Sequence, residues 1–481
     1  MVQRFHAMGV EEMKAKKAMD DVVVLLPGIL GSVLQLDGKD VWAPSPRGIF
    51  QGVTSFGGSV KRLRIQGVDD YTKQSLGDGV TAPRLVPDVH LIPGFWKIDG
   101  YTKIKQVMFE RFDLTEGENW FDFPYDWRRD NRVAADRLAA DAPRWLAQWK
   151  AKSGRREAKL VLLAHSMGGL VARHYLECLD GWKETRHLIT FGTPYQGAVN
   201  AAAFLVNGLR EKFGPFTVDL SDFLRSLTSV YQLAPRWQCI RDRSGNWGRF
   251  AETALPNVDA GKAKAALQFH RDIEAEVNRH REDENYRRQS YQIHPVVGIL
   301  QPTLQSGRLV GDELVTSTDP LDPKAPEGGD GTVPRLSATP LEYADDPREV
   351  YASERHATLQ NVDAVLTNIY GKLTRTSNIG YKSTPFDGFA LELKDLYRPD
   401  EPLVLTARTA GVADRAVATA RNVDTGGVVG SETVSVGSDG SFAFSLSPVS
   451  PGVYRVSVGA ADIHLGMNPV SDLFTVTGES E

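Results

Sequence analysis

The sequence has little cysteine, no long apolar run and no strong excess of either charge. Its 481 residues include two cysteines, Cys178 and Cys239, which are too few for a disulfide framework. No run of about 18 apolar residues is present, so we expect no membrane-spanning helix. The formal net charge of −5 provides no basic field, so we expect no nucleic-acid partner. What is present, 41% hydrophobic and 24% charged residues, is typical of a globular protein with a large core.

Two further absences concern location and cofactors. Residues 1–20, which we interpret as an N-terminal tail, contain lysines and acids but lack the apolar segment of a secretory signal, so we expect a cytoplasmic protein. No paired His or Cys residues occur at the spacing of zinc ligands, so we expect catalysis without a metal or another cofactor.

The most informative motif lies at residues 161–173, where an apolar strand pattern meets a helical pattern at Ser166. Ala164 and Gly168, two residues before and after the serine, are small enough for the strand and the helix to pack closely. This arrangement is typical of a nucleophile elbow, a sharp turn that exposes a serine hydroxyl. The alternative is a buried strand that ends in an ordinary turn. We identify Ser166 as the candidate nucleophile.

A nucleophilic serine of this kind requires an acid and then a histidine further along the chain. Asp330 lies in a glycine-rich loop, residues 328–331, that is able to turn a carboxylate inward. His356 directly precedes an amphipathic helical pattern that runs to about Leu373. The other nine histidines fit this chain order or this setting less well. Ser166, Asp330 and His356 are therefore the predicted catalytic residues.

The chemistry explains why these residue types belong together. A neutral serine hydroxyl is a weak nucleophile, so an imidazole must take its proton, and an aspartate must hold the imidazole in the correct tautomer. The oxyanion that forms on the substrate then needs backbone amide donors. We expect the amides of two residues to supply them: Met167, directly after the serine, and Ile29, in the glycine-containing loop after the apolar run 22–26.

Five segments of the chain are similar to short motifs of one known family. They are residues 26–32, 123–128, 164–169, 191–197 and 329–334. Together and in this order they resemble the lecithin:cholesterol acyltransferase-like α/β-hydrolases, which include lysosomal phospholipase A2 and phospholipid:diacylglycerol acyltransferases. The likeness extends over about residues 20–375, and five segments are more specific than a single elbow. The resemblance implies a serine enzyme that transfers or hydrolyses a fatty acyl group of a lipid.

Arg128 lies in the second of these segments, within a charged stretch that extends to Arg132. Such stretches usually bind loop carbonyl groups or face solvent, and we favour this structural role. The alternative is that the guanidinium of Arg128 binds a phosphate headgroup.

Apolar runs alternate with helical patterns over much of the chain. The predicted strands are residues 22–26, 120–123, 160–164, 187–191 and 293–300, and the predicted helices include residues 133–152 and 170–179. The alternation favours an α/β-hydrolase fold with a mostly parallel sheet over residues 21–375. Residues 197–292 interrupt it with a long mixed segment that we interpret as a helical cap or lid.

The composition changes after residue 375. We interpret residues 376–399 as a polar linker and residues 400–481 as a small immunoglobulin-like β-sandwich, because short alternating strands are separated there by turn signals. The partner of this β-module is unknown from the sequence. It would either orient the enzyme on a partner or aggregate surface or shield one edge of the hydrolase.

We therefore expect a serine acyl hydrolase or O-acyltransferase that acts on lipid esters, phospholipid or acylglycerol, through an acyl-enzyme at Ser166. The aromatic and leucine residues of the lid either make transient contact with a membrane surface or form the core of the cap. Further candidates for interfacial contact are Trp42, Phe50, Phe95 and Trp96. Two alternatives stay open: a soluble carboxylesterase without lipid preference, and an inactive hydrolase scaffold used for partner binding. Interfacial activation would separate a lipase from a soluble esterase.

Overall fold

A computed structural model of the chain describes most of its residues. These are 16–42, 60–87, 90–92, 96–213, 216–321, 328–343, 350–374, 388–409, 411, 413–462, 465, 467 and 469–476. The described part is a mixed α/β fold, with one parallel sheet and several antiparallel sheets, some of them near the C-terminus. Phe50 and Phe95, two candidates for interfacial contact, lie outside the described residues.

The central sheet has six parallel strands. They are β1 (Val22–Leu26), β2 (Trp120–Asp122), β3 (Leu160–His165), β4 (Thr185–Phe191), β5 (Gln292–Gly298) and β6 (Val350–Ala352). Their spatial order is β2-β1-β3-β4-β5-β6. Every residue of β1 and β3 is buried, as the uninterrupted apolar runs of these strands require in a sheet that is covered on both faces.

Nine α-helices are found among the described residues. They are α1 (Thr102–Arg111), α2 (Asn131–Ser153), α3 (Gly168–Cys178), α4 (Val199–Asn207), α5 (Ser221–Ser226), α6 (Thr228–Gln232), α7 (Ala260–Glu282), α8 (Glu284–Gln289) and α9 (Asp363–Thr374). Side-chain N-caps begin the two longest helices: Asp130 accepts a hydrogen bond at the start of α2, and Asp259 accepts two at the start of α7. Both α2 and α7 pack against α3, so α3 lies between them. None of the described helices is long and apolar enough to span a membrane.

Short strands form small sheets around the central one. Their bounds are Lys17–Ala18 with Phe112–Asp113; Ser32–Leu36, Lys39–Trp42 and Val80–Leu85; His90–Ile92 with Trp96–Ile98; Arg210–Phe213 with Phe216–Asp219; and Ile240–Arg241, Trp247–Gly248, Ser306–Val310 and Glu313–Ser317. The last of these sheets joins strands from the predicted lid, residues 197–292, to a hairpin beyond it. The lid segment therefore shares a sheet with residues that follow β5.

The strands nearest the C-terminus form two further sheets. They are β7 (Phe389–Leu393), β8 (Leu396–Tyr397), β9 (Leu403–Thr409), β10 (Arg415–Asn422), β11 (Val428–Ser435), β12 (Ser441–Leu446), β13 (Gly452–Ala460) and β14 (Val470–Val476). The spatial orders are β7-β9-β12 and β8-β14-β13-β10-β11, and inward-facing side chains of both sheets share one apolar core. Because β7 pairs with β9, the segment predicted as a linker, residues 376–399, contains strands of these sheets.

Five strands of the central sheet confirm the strand predictions, with ends that differ by up to two residues. The two predicted helices agree with α2 and α3 to the same precision. The sixth strand, β6, was not predicted, because three residues are too few to carry a periodic pattern.

Candidate active site

The turn between β3 and α3 carries Ser166 at the carboxyl end of its strand. Ser166 has a positive φ of 52°, a strained conformation for a residue other than glycine. Its N–H donates to the carbonyl of Phe191 (2.8 Å), and the hydroxyl of Thr193 donates to its own carbonyl (2.9 Å). A Cβ at Gly168 would lie 2.5 Å from the carbonyl oxygen of Pro27, so a larger residue does not fit. Segments at the ends of the two neighbouring strands thus fix the serine turn.

The three predicted catalytic side chains meet in one buried hydrogen-bonded row. The Oγ of Ser166 lies 2.9 Å from Nε2 of His356, and Nδ1 of His356 lies 2.7 Å from Oδ2 of Asp330. A carboxylate accepts hydrogen bonds, so Nδ1 carries the proton, and Nε2 is the nitrogen that accepts the hydrogen bond of the serine hydroxyl. All three side chains are buried.

The carboxylate of Asp330 is oriented by the loop that carries it. Its Oδ1 accepts hydrogen bonds from the backbone N–H groups of Thr332 (2.9 Å) and Val333 (2.6 Å), which leaves Oδ2 for the imidazole. The backbone carbonyl of Asp330 also accepts the N–H of His356 (2.8 Å). A Cβ at Gly192 would lie 2.7 Å from Oδ2 of Asp330, so glycine is required beside the pair.

The two amides predicted for the oxyanion hole flank the serine. Ile29 follows β1 and lines the same small cavity as Ser166, and Met167 directly follows the serine. In the described part of the chain neither amide donates to a backbone carbonyl, so both are available as donors. Leu30, the next residue of the loop, has a positive φ of 64°, which marks a tight turn.

A second hydrogen-bonded chain, not predicted from the sequence, lies behind the serine. The N–H of Gly28 donates to the hydroxyl of Tyr101 (2.8 Å), which contacts Nδ1 of His165 (3.1 Å), and Nε2 of His165 contacts the carbonyl of His356 (3.1 Å). A carbonyl accepts only, so Nε2 of His165 carries the proton and the hydroxyl of Tyr101 donates to Nδ1. Burial lowers the pKa of His165 to about 3, with a further contribution from His356, so its ring stays neutral.

The segment around Arg128 supports the loop that carries Ile29. The hydroxyl of Tyr125 donates to the carbonyl of Pro27 (2.8 Å), and Nε1 of Trp127 donates to the carbonyl of Ser32 (3.0 Å). The guanidinium of Arg128 is buried and binds two carboxylates and a backbone carbonyl. These partners are Asp126 (2.6 Å and 2.8 Å), Asp78 (2.9 Å) and the carbonyl of Leu63 (2.9 Å). These contacts fit the structural role that we favoured for Arg128.

Trp42 does not fit the expectation of interfacial contact. Its side chain is buried, its Nε1 donates to the carbonyl of Leu30 (3.0 Å), and its ring packs edge-on against Trp127 (5.3 Å between centroids). Because Leu30 belongs to the same loop as Ile29, Trp42 supports that loop. Trp42 lies at the end of the strand Lys39–Trp42, which pairs with the strand Ser32–Leu36 and places Trp42 opposite Leu34. This pairing was not predicted from the sequence.

A small apolar cavity opens at Ser166. It has a volume of about 20 Å³, room for about one water molecule. The residues that line it from the predicted lid are Ala198, Asn200, Ala201, Phe204, Val230 and Leu233. The later lid helix, α7, instead packs against α3, where Phe269 stacks on His174 (5.4 Å). The first part of the predicted lid thus faces the serine.

No group of three or more His, Cys, Asp or Glu side chains arranged to hold a metal ion is found among the described residues. Both cysteines are free thiols. Burial raises the pKa of Cys178 to about 12, so this thiol stays protonated at neutral pH.

Comparisons with known proteins bear on the family. Residues 96–307 match the model of the lecithin:cholesterol acyltransferase family. The matched range includes Ser166 and Met167, whereas Ile29, Asp330 and His356 lie outside it. No curated protein matches the chain.

Several solved structures resemble parts of the chain weakly. One is the BSP domain of a biofilm associated protein, 23% identical, covering 21% of this chain and 17% of that chain, with a TM-score of 0.17. Another is a DUF3244 family protein with an immunoglobulin-like beta-sandwich fold from Bacteroides vulgatus, 15% identical, covering 15% of this chain and 73% of that chain, with a TM-score of 0.13. A third is the CARDB domain of a Pyrococcus furiosus protein, 13% identical, covering 19% of this chain and 93% of that chain, with a TM-score of 0.15. These scores are too low to support an argument about fold or function.

Proposed function

We propose that the chain, which matches the model of the lecithin:cholesterol acyltransferase family over residues 96–307, is a serine acyl hydrolase or O-acyltransferase acting on lipid esters. The family supports a lipid acyltransferase or phospholipase activity in general. We further propose that Ser166 is the nucleophile, His356 the general base and Asp330 the residue that orients the base.

The observation that carries the proposal is the pair of short contacts at His356. Its two ring nitrogens lie 2.9 Å from the serine hydroxyl and 2.7 Å from the aspartate carboxylate, within the range of catalytic hydrogen bonds. Burial of all three side chains strengthens these contacts, because the local dielectric constant is low.

The proposed reaction proceeds in two acyl transfers. His356 takes the proton of Ser166 as Oγ attacks the acyl carbon, and the oxyanion of the tetrahedral intermediate binds the amides of Ile29 and Met167. His356 then donates this proton to the departing alcohol oxygen of the lipid, which leaves an acyl-enzyme at Ser166. Water or an acceptor alcohol gives its proton to His356 as its oxygen attacks the acyl carbon. His356 then returns this proton to Oγ of Ser166 as the bond between Oγ and the acyl carbon breaks.

The lining of the cavity supports a lipid acyl group as the transferred group. Apolar side chains from α4 and α6 face Ser166, so an acyl chain would lie between the serine and the cap. A volume of about 20 Å³ is too small for a fatty acyl chain, so α4 and its neighbours must move outward on binding. We propose that residues 197–292 act as this lid and make transient contact with a lipid surface.

Three further assignments are also proposals: the division into domains, the cellular location and catalysis without a cofactor. The chain would divide into a tail (1–20), an α/β-hydrolase domain (21–375), a linker (376–399) and an immunoglobulin-like β-sandwich (400–481), with β7 and β8 added to that sandwich by their strand pairing. The two sheets with one shared apolar core support the sandwich. A cytoplasmic location and catalysis without a cofactor stay predictions from the sequence.

Reaction with a fluorophosphonate probe, followed by intact-protein mass, tests the proposal. We expect one adduct on the native chain, none on Ser166→Ala, and strongly slowed labelling of His356→Ala, because an unactivated serine does not attack phosphorus. Ser244→Ala, an exposed serine, is the control and should label at the native rate.

Detergent is added in a second arm to open the lid. If the folded native chain forms no adduct even then, the triad is wrong and an inactive scaffold is the better hypothesis. If it labels, reaction rates on aggregated and dispersed esters separate a lipase from a soluble esterase. The same rates with and without an acceptor alcohol separate acyl transfer from hydrolysis.

A further inference from the structure

The loop that carries His356 is held from both sides by the C-terminal strands. We call residues 353–358 the histidine loop and residues 388–476 the C-terminal module. The histidine loop follows β6 and precedes a single 3-10 turn at Leu359–Asn361, so no regular helix or strand holds His356 itself. The contacts described next come from residues that are distant in sequence.

On the N-terminal side of His356, two adjacent residues contact β14. The carboxylate of Glu354 accepts the backbone N–H of Ser471 (2.8 Å). The guanidinium of Arg355 donates to the carbonyl of Leu391 in β7, and its Nε lies 3.2 Å from the carboxylate of Asp472, a charge contact without hydrogen-bond geometry.

Asp472 is the charged centre of this contact. Its side chain is 2% exposed and also binds Lys97 at 3.0 Å. Burial alone would raise the pKa of Asp472, but Arg355 and Lys97 together hold it below its usual value. A buried carboxylate of this kind fixes the position of both cations, because a displaced cation would leave it unpaired.

On the C-terminal side of His356, the contact runs through Asp99. Its backbone N–H donates to the carbonyl of Ala357 (3.2 Å), the residue directly after His356. The carboxylate of Asp99 is buried and binds Arg455 of β13 (3.0 Å) and Asn361 (3.1 Å). The C-terminal module therefore reaches both neighbours of His356.

The loop of Asp330 has a similar link to the same module. Gln301 exchanges two backbone hydrogen bonds with Gly329, the residue before Asp330 (both 3.1 Å). The side-chain amide of Gln301 donates to the carbonyl of Phe389 (2.8 Å) and accepts the N–H of Leu391 (3.1 Å). One side chain thus joins the acid loop to β7.

A polar cavity of about 200 Å³ lies where these contacts converge. Its lining includes His356, Asp330, Arg355 and Lys97 together with Asp395 and Asp472 of the C-terminal module. Side chains of the module and of the candidate triad thus face the same space.

We propose that the C-terminal module is a positioning element of the active site, with Asp472 as a positioning residue that acts on His356 through Arg355. The inference rests on the proposed function, because it concerns the alignment of His356 with Ser166. On this proposal the C-terminal module affects the rate of acyl transfer, and its role differs from docking the enzyme onto a partner. A misplacement of the imidazole by about 1 Å is enough to lower the rate roughly 100-fold.

Asp472→Asn in the full chain tests the proposal, since it keeps the shape of the side chain and removes the charge. Three quantities are measured on folded protein: the rate of fluorophosphonate labelling at Ser166, kcat and KM on a short dispersed ester, and Tm. We expect labelling and kcat to fall roughly 10- to 100-fold, with KM changed less than twofold. A purely structural role would lower Tm and leave the rate per folded molecule unchanged.

Glu432→Gln is the matched control, because it removes one carboxylate from the same module at a site that contacts Ser445. It should react at the native rate. The double variant Arg355→Met with Asp472→Asn should lose less rate than the product of the two single losses, because both changes break the contact between these two side chains. Independent, additive losses would contradict the proposed route through Arg355.

If Asp472→Asn does not fold, Arg455→Met takes its place, since it acts through Asp99 on the other side of His356. The same fall in rate is expected. A native rate per folded molecule in the variant that folds overturns the proposal. This outcome is distinct from failure of the proposed function, because the native chain must first label at Ser166.

Discussion

The nucleophile elbow and the histidine loop carry side chains that lie 2.9 Å apart, but different kinds of contact hold them. The elbow lies between a buried strand and a helix, and its backbone is bound on both sides: the N–H of Ser166 donates to the carbonyl of Phe191, and the carbonyl of Ser166 accepts the hydroxyl of Thr193. The histidine loop lies outside any helix or strand, and two backbone hydrogen bonds bind it: the N–H of His356 donates to the carbonyl of Asp330, and the carbonyl of Ala357 accepts the N–H of Asp99. Charged side chains add an ion pair between Arg355 of this loop and Asp472, and a second pair between Arg455 and Asp99.

The difference indicates where each region is vulnerable. Close backbone packing fixes the elbow, so changes in volume disturb it. Ion pairs and one buried carboxylate fix the histidine loop, so changes in charge or pH disturb it. The two regions should therefore respond to different perturbations, although the proposed reaction needs both.

The largest effect is expected from Asp330→Asn. The amide oxygen of asparagine would keep the N–H groups of Thr332 and Val333, so its NH₂ group would face Nδ1 of His356. His356 would then hold its proton on Nε2, the wrong tautomer to accept from Ser166, and kcat should fall by roughly 10⁴-fold.

Steady-state kinetics and Tm check this expectation, with Asp312→Asn, an exposed acid, as the control. The elbow should stay intact, so Tm should change little. A native kcat in Asp330→Asn would remove Asp330 from the triad.

The next effect concerns pH and the histidine loop alone. Burial raises the pKa of Glu354 from its ordinary value of 4.5 to about 7, and the backbone N–H groups of Ser471 and Arg355 offset this in part. The folded state keeps the carboxyl protonated, so its stabilising contribution is complete below pH 4.5 and is lost as the pH rises through 7. The loss amounts to roughly 3 kcal/mol in the free energy of unfolding.

Glu354→Gln stays neutral, so the variant should match the native chain at pH 4 and exceed its free energy of unfolding by up to roughly 3 kcal/mol at pH 8. Urea unfolding at the two pH values measures the difference. At the elbow, His165 has its pKa lowered to about 3 and carries no charge over this range. An equal difference at both pH values would mean that folding does not shift the pKa of Glu354.

The same contrast explains what could be predicted from the sequence. Ser166 was predictable because the strand, the small residues and the helix are contiguous. Asp330 and His356 were predictable as residue types in chain order, and their distances agree with that assignment. Tyr101 was not predictable, because it lies 73 residues from Gly28, and no local pattern joins them.

The boundary of the C-terminal module shows the same limit. The alternating pattern at Phe389–Leu393 is only one strand long, and its pairing with Leu403–Thr409 is a tertiary contact. The ion pairs of Asp472 with Arg355 and of Arg455 with Asp99 join residues more than 100 positions apart. Such contacts leave no periodic pattern in the sequence, so they can be identified only once the fold is known.

The smallest effect is expected where the two regions are joined. The hydroxyl of Tyr101 accepts the N–H of Gly28 and donates to His165, which in turn donates to the carbonyl of His356. Tyr101→Phe leaves a buried N–H unpaired, so the free energy of unfolding should fall by roughly 1–3 kcal/mol and labelling at Ser166 should slow severalfold. Tyr125→Phe is the matched control, because it removes a hydroxyl that binds the neighbouring residue of the same loop. It leaves only the carbonyl of Pro27 without a donor and leaves no N–H unpaired. If both variants lose equal stability and label equally fast, the chain through His165 does not couple the elbow to the histidine loop, and the two regions are independent.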